Sequence, residues 1–318
     1  MSNIVVSPHS LSTLAGIKIL RNGGNAIDAA IATNIVQGVV APETCGIGGD
    51  LFALIWINGE TKPYCLDSSG YAGSNVDLSS LSSYSNIPLD HPMSVTVPGA
   101  VRGWYAMHER FGSLEMKDLF IQAIEICSKG FNVSTELHQS LKRHEESLKM
   151  QDSGKELYPF GKVPGIGDTV QRTMLGKTLK NISDQGSDYF YSGKVSEAIS
   201  DSLTNIVTSH DISSFYPQWI EPLSIEIYGK IGWVTPPQTQ SYLTLATLKI
   251  YEMLDSDFKD IDMHTLIESY RAAASQRDDI TYDYGNNIDL FPGLNTEYLK
   301  SLSNLIDLDN SSTFNQPT

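Results

Sequence analysis

The residues of this 318-residue chain able to act as nucleophiles or metal ligands are few: three cysteines and seven histidines. Cys45 stands beside glycines in PETCGIGGD, so a nucleophilic role is weighed, but a small buried hydrophobe is the commoner role of such a residue. Cys45, Cys65 and Cys127 lie far apart with no C-x-x-C spacing, which reads as reduced thiols of a cytosolic protein. His138 and His144 lack the i,i+4 spacing and the acidic partner of a zincin site, so neither a metal nor a cofactor is expected. Asp28 is the one charge in the alanine-rich run after Asn25. A buried carboxylate must be hydrogen-bonded or paired, so Asp28 is expected to accept backbone amides of a nearby loop in preference to a catalytic role. The glycines of GIGGD, residues 46–50, do not fit a dinucleotide fingerprint, because their spacing is wrong and they precede a strand. They read as a tight turn where two backbones cross.

The elements that must position these residues follow from periodicity and turn residues. IVVS (4–7) is a short strand candidate ended by Pro8. An apolar stripe predicts a helix over 10–21, capped by Ser10 or Ser12 and stopped by Asn22-Gly23-Gly24. Asn25 starts a second helix running to about Gly38. LFALIWI (51–57) and KPYCLDSS (62–69) predict a hairpin around Asn58-Gly59. LFALIW shows no alternation, as expected of a strand buried on both faces. A polar, Ser-rich connector covers 71–94, and 95–97 is a short strand that Pro98-Gly99 turns into a helix. The pattern is mostly helical over 103–275, interrupted by a hairpin at 220–235 with Gly229 in its turn. Residues 1–306 read as one domain, and the polar stretch 307–318 as a loose tail.

Composition narrows the function classes. Hydrophobic residues make up 41% and charged residues 19%, the balance of a folded protein. No stretch reaches the ~18 apolar residues needed to cross a bilayer. The N-terminus shows no secretory pattern, so a cytoplasmic location is expected. A formal charge of −15 disfavours nucleic acid and anionic membranes, which demand a positive field.

NGGNAIDAA followed by VVAPETCGIGGDLFAL closely resembles the N-terminal signature of the γ-glutamyltranspeptidase family, in its transferase-like branch. VTVPGAVRGWYAMHERFG, AIEICSKGFNVS, the helical stretch 167–199, the 211–240 block and LIESYRAAASQRDD continue the likeness in order, from about residue 4 to 290. The resemblance implies an α+β fold, the αββα sandwich of the N-terminal-nucleophile (Ntn) hydrolases, of which this chain is the large-subunit portion. It implies a precursor that cuts itself, and acyl transfer or hydrolysis of γ-glutamyl (glutathione-type) amides by the N-terminal threonine of a small subunit. No catalytic residue is then expected in this chain. Thr313 would leave too few residues for a strand pair, and Thr318 marks the processing end. About 150–200 further residues, the scale of a domain, would complete the sandwich.

The same resemblance implies a structural glycine loop at Gly46, Gly48, Gly49 and Asp50, and a substrate-binding wall at Asp67, Ser69 and Gly70 with Arg102 nearby. In the transpeptidases an arginine that grips the substrate carboxylate stands where this chain has Ser69, and a hydroxyl is a poor replacement for a bidentate guanidinium. Arg102 either compensates or is a surface charge at a helix start. PPQTQSY also lacks the double glycine of the family's proline-rich turn. Weak γ-glutamyl turnover is therefore expected, with an acylase of the cephalosporin-acylase kind or a non-catalytic relative as alternatives. The strands in this chain are too few to close a sandwich, so an obligate partner burying more than ~2,000 Å² is expected, giving a heterodimer or a dimer of heterodimers.

Overall fold

The computed structural model describes residues 3–314, apart from 83, 85, 89, 90, 153 and 256–259. Where the sequence reading drew one domain over 1–306, the chain divides into two compact units, Met1–Leu51 with Ser68–Gln218 and Phe52–Asp67 with Trp219–Thr318.

The first unit is helical. Helix Ser10–Arg21 begins at His9, whose Nδ1 accepts the Leu11 N–H at 3.2 Å, so the cap is not Ser10 or Ser12. Ser12 is instead fully buried and hydrogen-bonds the Gln37 side chain. The helix ends as expected, with Gly23 at φ +92° and the Gly24 N–H returning to Ile19 O. Helix Ala26–Val40 is closed by a capping box between Asn25 and Asp28. It buries Ile31, Ile35, Val36 and Val39 among its neighbours, each contributing about 1.5–3 kcal/mol. It packs on helices Ser10–Arg21, Ala100–Phe111 and Met116–Lys129, the last of which also packs on Thr173–Gln185. Residues 4–7 form no strand; they run extended with Ile4 80% and Val6 86% exposed, because no described segment pairs with them. Residues 95–97 likewise form only a single bridge, Ala72 to Thr96.

The second unit carries the main sheet segments. A three-stranded sheet runs Leu51–Ile55, Tyr64–Ser68, Gln218–Ile220 in that order. Gly59, at φ +92°, makes the turn between the first two. An antiparallel ribbon pairs Leu223–Ile227 with Lys230–Val234 through Tyr228 and Gly229, both at positive φ. This ribbon and helices Tyr242–Leu254, Met263–Ala274 and Thr296–Ser303 enclose a core that contains Tyr242, Ile250, Ala272, Phe291 and Leu299. Tyr242 meets Phe291 edge-on at 4.8 Å. The apolar strand Leu51–Ile55 is not covered on both faces by this chain: Leu54 is 41% exposed and the following Trp56 55%. The polar tail is not loose over its described part. Residues 307–314 are tied to helix Met263–Ala274, a long-range contact that composition does not reveal.

Candidate functional site

Burial alternates along the end of the second strand. Leu66 and Ser68 are fully buried, whereas Asp67 and Ser69 are half-buried and so share the opposite face. Beyond Ser68 the chain runs against residues 97–99 in direct backbone contact. A Cβ on Gly70 would lie 1.5 Å from the Val97 carbonyl oxygen, and one on Gly99 would lie 1.8 Å from Ser68 O. Only glycine fits at either position. Ser68 Oγ donates to Gly99 O at 2.8 Å. The Gly49 carbonyl accepts the N–H groups of Gly99 (2.9 Å) and Ala100 (2.8 Å), and so caps helix Ala100–Phe111. The glycine loop, the strand end and the helix start are thereby locked to one another. The backbone crossing expected at GIGGD thus falls mainly at Gly70 and Gly99.

Within the loop, Gly46 and Gly48 have open space where a Cβ would stand, and neither adopts a positive φ. Gly48 and Asp50 are exposed. Cys45 is half-buried, and burial pushes its thiol up, an effect that the neighbouring Glu43 carboxylate reinforces. A thiol held protonated is a poor nucleophile, which agrees with a packing role. Burial pushes the Cys65 and Cys127 thiols up to about 12. Burial also raises the Glu43 carboxyl, whose Oε2 finds no hydrogen-bond partner among the described residues.

Asp28 does what the sequence predicted. It is fully buried and accepts from Asn25 N at 2.9 Å, Ser113 N at 3.1 Å and Ser113 Oγ at 2.5 Å. It thereby ties the start of helix Ala26–Val40, which leads into the glycine loop, to the turn at Ser113.

Arg102 is not a surface charge. It is 5% exposed, with its guanidinium 4.3 Å from the centre of the Tyr191 ring and 4.2 Å from that of Tyr216. Its N–H groups donate to the carbonyls of Ser213 and Phe215 and to Asp188 Oδ1. Tyr191 OH donates to Pro98 O at 2.8 Å, and burial raises that hydroxyl beyond its usual range. Arg102 therefore clamps the segment after helix Ser209–Ser214 to the start of helix Ala100–Phe111.

Sequence reasoning missed one anchor of this site. Asp211 accepts from Ser74 N (3.0 Å), Ser74 Oγ (3.0 Å) and Thr208 N (2.8 Å), while Tyr71 OH donates to Asp211 O at 2.7 Å. These bonds staple the connector that follows Gly70. The Thr208-x-x-Asp211 spacing of a capping box was the readable signal. Thr318 lies outside the described residues. His138 is occupied with the carbonyl of Pro164, at 2.8 Å.

A family model described as γ-glutamyltranspeptidase matches residues 12–318. The chain is 32% identical over 292 residues to the glutathione hydrolase-like YwrD proenzyme of Bacillus subtilis, a match covering 88% of this chain and 55% of that protein. It thus spans about half the length of the curated relatives it matches. The γ-glutamyltranspeptidase of Helicobacter pylori superposes with a TM-score of 0.86 at 25% identity, over 98% of this chain and 94% of that one. A cephalosporin acylase from Bacillus halodurans superposes with a TM-score of 0.81 at 26% identity, over 96% and 63%. The fold is accordingly the α+β Ntn-hydrolase fold in its large-subunit-like portion. From the signature around the glycine loop to the helices of the second unit, the chain belongs to the γ-glutamyltranspeptidase family.

Proposed function

We propose that this chain is the large subunit of a self-processed acyl-transfer enzyme whose nucleophile, an N-terminal threonine, resides on a small subunit. One observation carries the reading: the strand Leu51–Ile55 and its continuation present Leu54 and Trp56 to solvent, where an interior strand should be covered. Ile231 on the ribbon, 61% exposed, is left bare in the same way. In the first unit, exposed Ile4 and Val6 border a cavity of about 670 Å³ lined in part by Val5, Pro8, Ala29 and Asn34, room for a further strand. A second polypeptide supplying strands would cover these surfaces and form a heterodimer. A cytoplasmic location belongs to the same reading, supported by three unpaired thiols.

In the reaction, the threonine Oγ attacks the amide carbonyl while its own α-amine takes the proton. Backbone N–H groups stabilise the oxyanion, the amine product departs, and water or an acceptor amine resolves the ester. This chain contributes one wall of the pocket, the 45–50 loop and Asp67 to Gly70. The open surroundings of Gly46 and Gly48 leave room for the partner or the substrate to approach the backbone. Arg102 holds the 213–215 segment against the start of helix Ala100–Phe111, whose first N–H groups bond this wall at Gly49.

The substrate class is acyl amides of the γ-glutamyl type, with a weakened grip on the α-carboxylate because Ser69 carries no charge. The same residue favours a second reading, an acylase acting on other acyl amides. Intact mass of the complete gene product tests the first element: two polypeptides from one gene, the second opening with threonine, are expected, and an uncut chain refutes it. Parallel assays with γ-glutamyl and glutaryl chromogenic amides separate the two substrate readings, and a glutaryl preference overturns the first.

A further inference from the structure

Helix Met263–Ala274 turns one face toward the segment that follows residue 306. His264, Glu268 and Arg271, at i, i+4 and i+7, share that face. His264 Nε2 lies 3.1 Å from the Asp307 carbonyl oxygen. Glu268 is 3% exposed, and its Oε2 accepts the Ser312 N–H at 2.9 Å. Arg271, paired with the same carboxylate, donates to Ser311 Oγ at 2.8 Å and to Ser312 O at 3.0 Å, and its guanidinium lies 5.5 Å from the centre of the Phe314 ring. Residues 307–312 are closed into a loop: Asp307 N donates to Ser312 Oγ at 2.8 Å, and Asp309 N and Asn310 N donate to Asp307 Oδ1. A residue gripped on both its N–H and its C=O by an ion pair, here a buried carboxylate and a partly exposed guanidinium, has a fixed position and direction. Ser311 and Thr313 are exposed, whereas Ser312 is buried and Ile306 and Phe314 pack against the core on either side of the segment.

We propose that Glu268 and Arg271 form a latch that sets the point and direction from which the chain leaves toward the self-cleavage bond, and so govern the rate of maturation. The inference rests on the self-processing reading above. In that step a downstream threonine Oγ attacks the carbonyl before it, the C–N bond breaks as the C–O ester forms, and the proton passes to the freed amine. Water then hydrolyses the ester to a carboxylate and the restored hydroxyl. The attack requires the hydroxyl and carbonyl in near-contact geometry, and a wandering upstream segment loses that geometry. Glu268 and Arg271 are positioning residues, not catalytic ones.

The test follows cleavage of the complete gene product by mass spectrometry for the wild type, Glu268→Gln and Ser312→Pro. Ser312→Pro removes the gripped N–H, together with the hydroxyl that accepts the Asp307 N–H, and leaves the helix sequence unchanged. Both variants are expected to lengthen the cleavage half-time about tenfold or more. Glu268→Gln should lower Tm by several degrees, because it uncharges a buried paired carboxylate, and Ser312→Pro by less; in both, the fraction that matures should turn over substrate as the wild type does. Arg271→Lys, which keeps the charge but not the fork, should fall between wild type and Arg271→Met. Wild type that never cuts sinks the self-processing reading, and the latch with it. Wild type that cuts while the variants cut equally fast sinks the latch alone. Slow variants whose mature enzyme is equally impaired reduce Glu268 and Arg271 to structural residues and overturn the proposal.

Discussion

Replacing Asp28 by asparagine removes a charge and one acceptor from a fully buried carboxylate ringed by donors. Oδ2 accepts from Asn25 N at 2.9 Å, Ser113 Oγ at 2.5 Å, Ser113 N at 3.2 Å and Leu114 N at 3.4 Å, and Oδ1 accepts from Ser113 N at 3.1 Å. The amide does best with its oxygen in the Oδ2 position. Two short bonds then lose their charge assistance, at about 1 kcal/mol each, and the new NH₂ faces the Ser113 N–H, at about 1–2 kcal/mol more. The total is roughly 3–4 kcal/mol, which for a unit of about 200 residues lowers Tm by about 6–16 °C. Thermal melts of the complete gene product, wild type against Asp28→Asn, measure it. A drop below about 2 °C would show that the carboxylate is not the acceptor described, and the link between the Ala26–Val40 helix and the Ser113 turn would have to be withdrawn.

Other outcomes follow from the same geometry. Gly70→Ala forces a Cβ to within 1.5 Å of Val97 O and should cost more than about 4 kcal/mol, abolishing soluble yield, whereas Gly48→Ala, with open space, should change stability by less than about 1 kcal/mol. If Ser69 lines the proposed substrate wall, Ser69→Arg supplies the guanidinium it lacks and should raise kcat/KM for γ-glutamyl amides about 10- to 100-fold, read with a chromogenic substrate; no gain would place the carboxylate site elsewhere. Burial pushes the Asp211 carboxyl up, but donors from Thr208 and Ser74 outweigh it and hold it below the usual carboxylate range. Its folded value lies below its unfolded one, so its stabilisation is present in full above the ordinary value of 3.8 and is lost as pH falls through the depressed one. Urea midpoints should therefore drop as pH falls below about 5, and less steeply in Asp211→Asn.

Local rules read much of this fold directly. The Asn22-Gly23-Gly24 stop and the turns at Gly59 and Gly229 follow from residues within a few positions of one another. What eluded them depends on distant partners. Ser10 and Ser12 are sound caps by type, yet the histidine before them takes the role while Ser12 turns inward to Gln37. Arg102 reads as a helix-start charge, and only tertiary packing brings the carbonyls of Ser213 and Phe215 and two tyrosine rings around it. DLDNSS reads as a loose tail because the carboxylate and guanidinium that hold it lie some forty residues upstream. Residues 4–7 have strand chemistry without a strand, since pairing requires a neighbour that the described chain does not offer. At the candidate site, the motif located the glycine loop, but the contacts at Gly70 and Gly99 that fix the wall belong to no local pattern.

The most direct test of the account is the sedimentation behaviour of residues 1–318 expressed without any downstream sequence. Exposed Leu54, Trp56 and Ile231 should drive it to aggregate or to bind a co-expressed small subunit in a one-to-one complex. A monodisperse monomer that ignores the small subunit would contradict the claim that these surfaces await a second polypeptide.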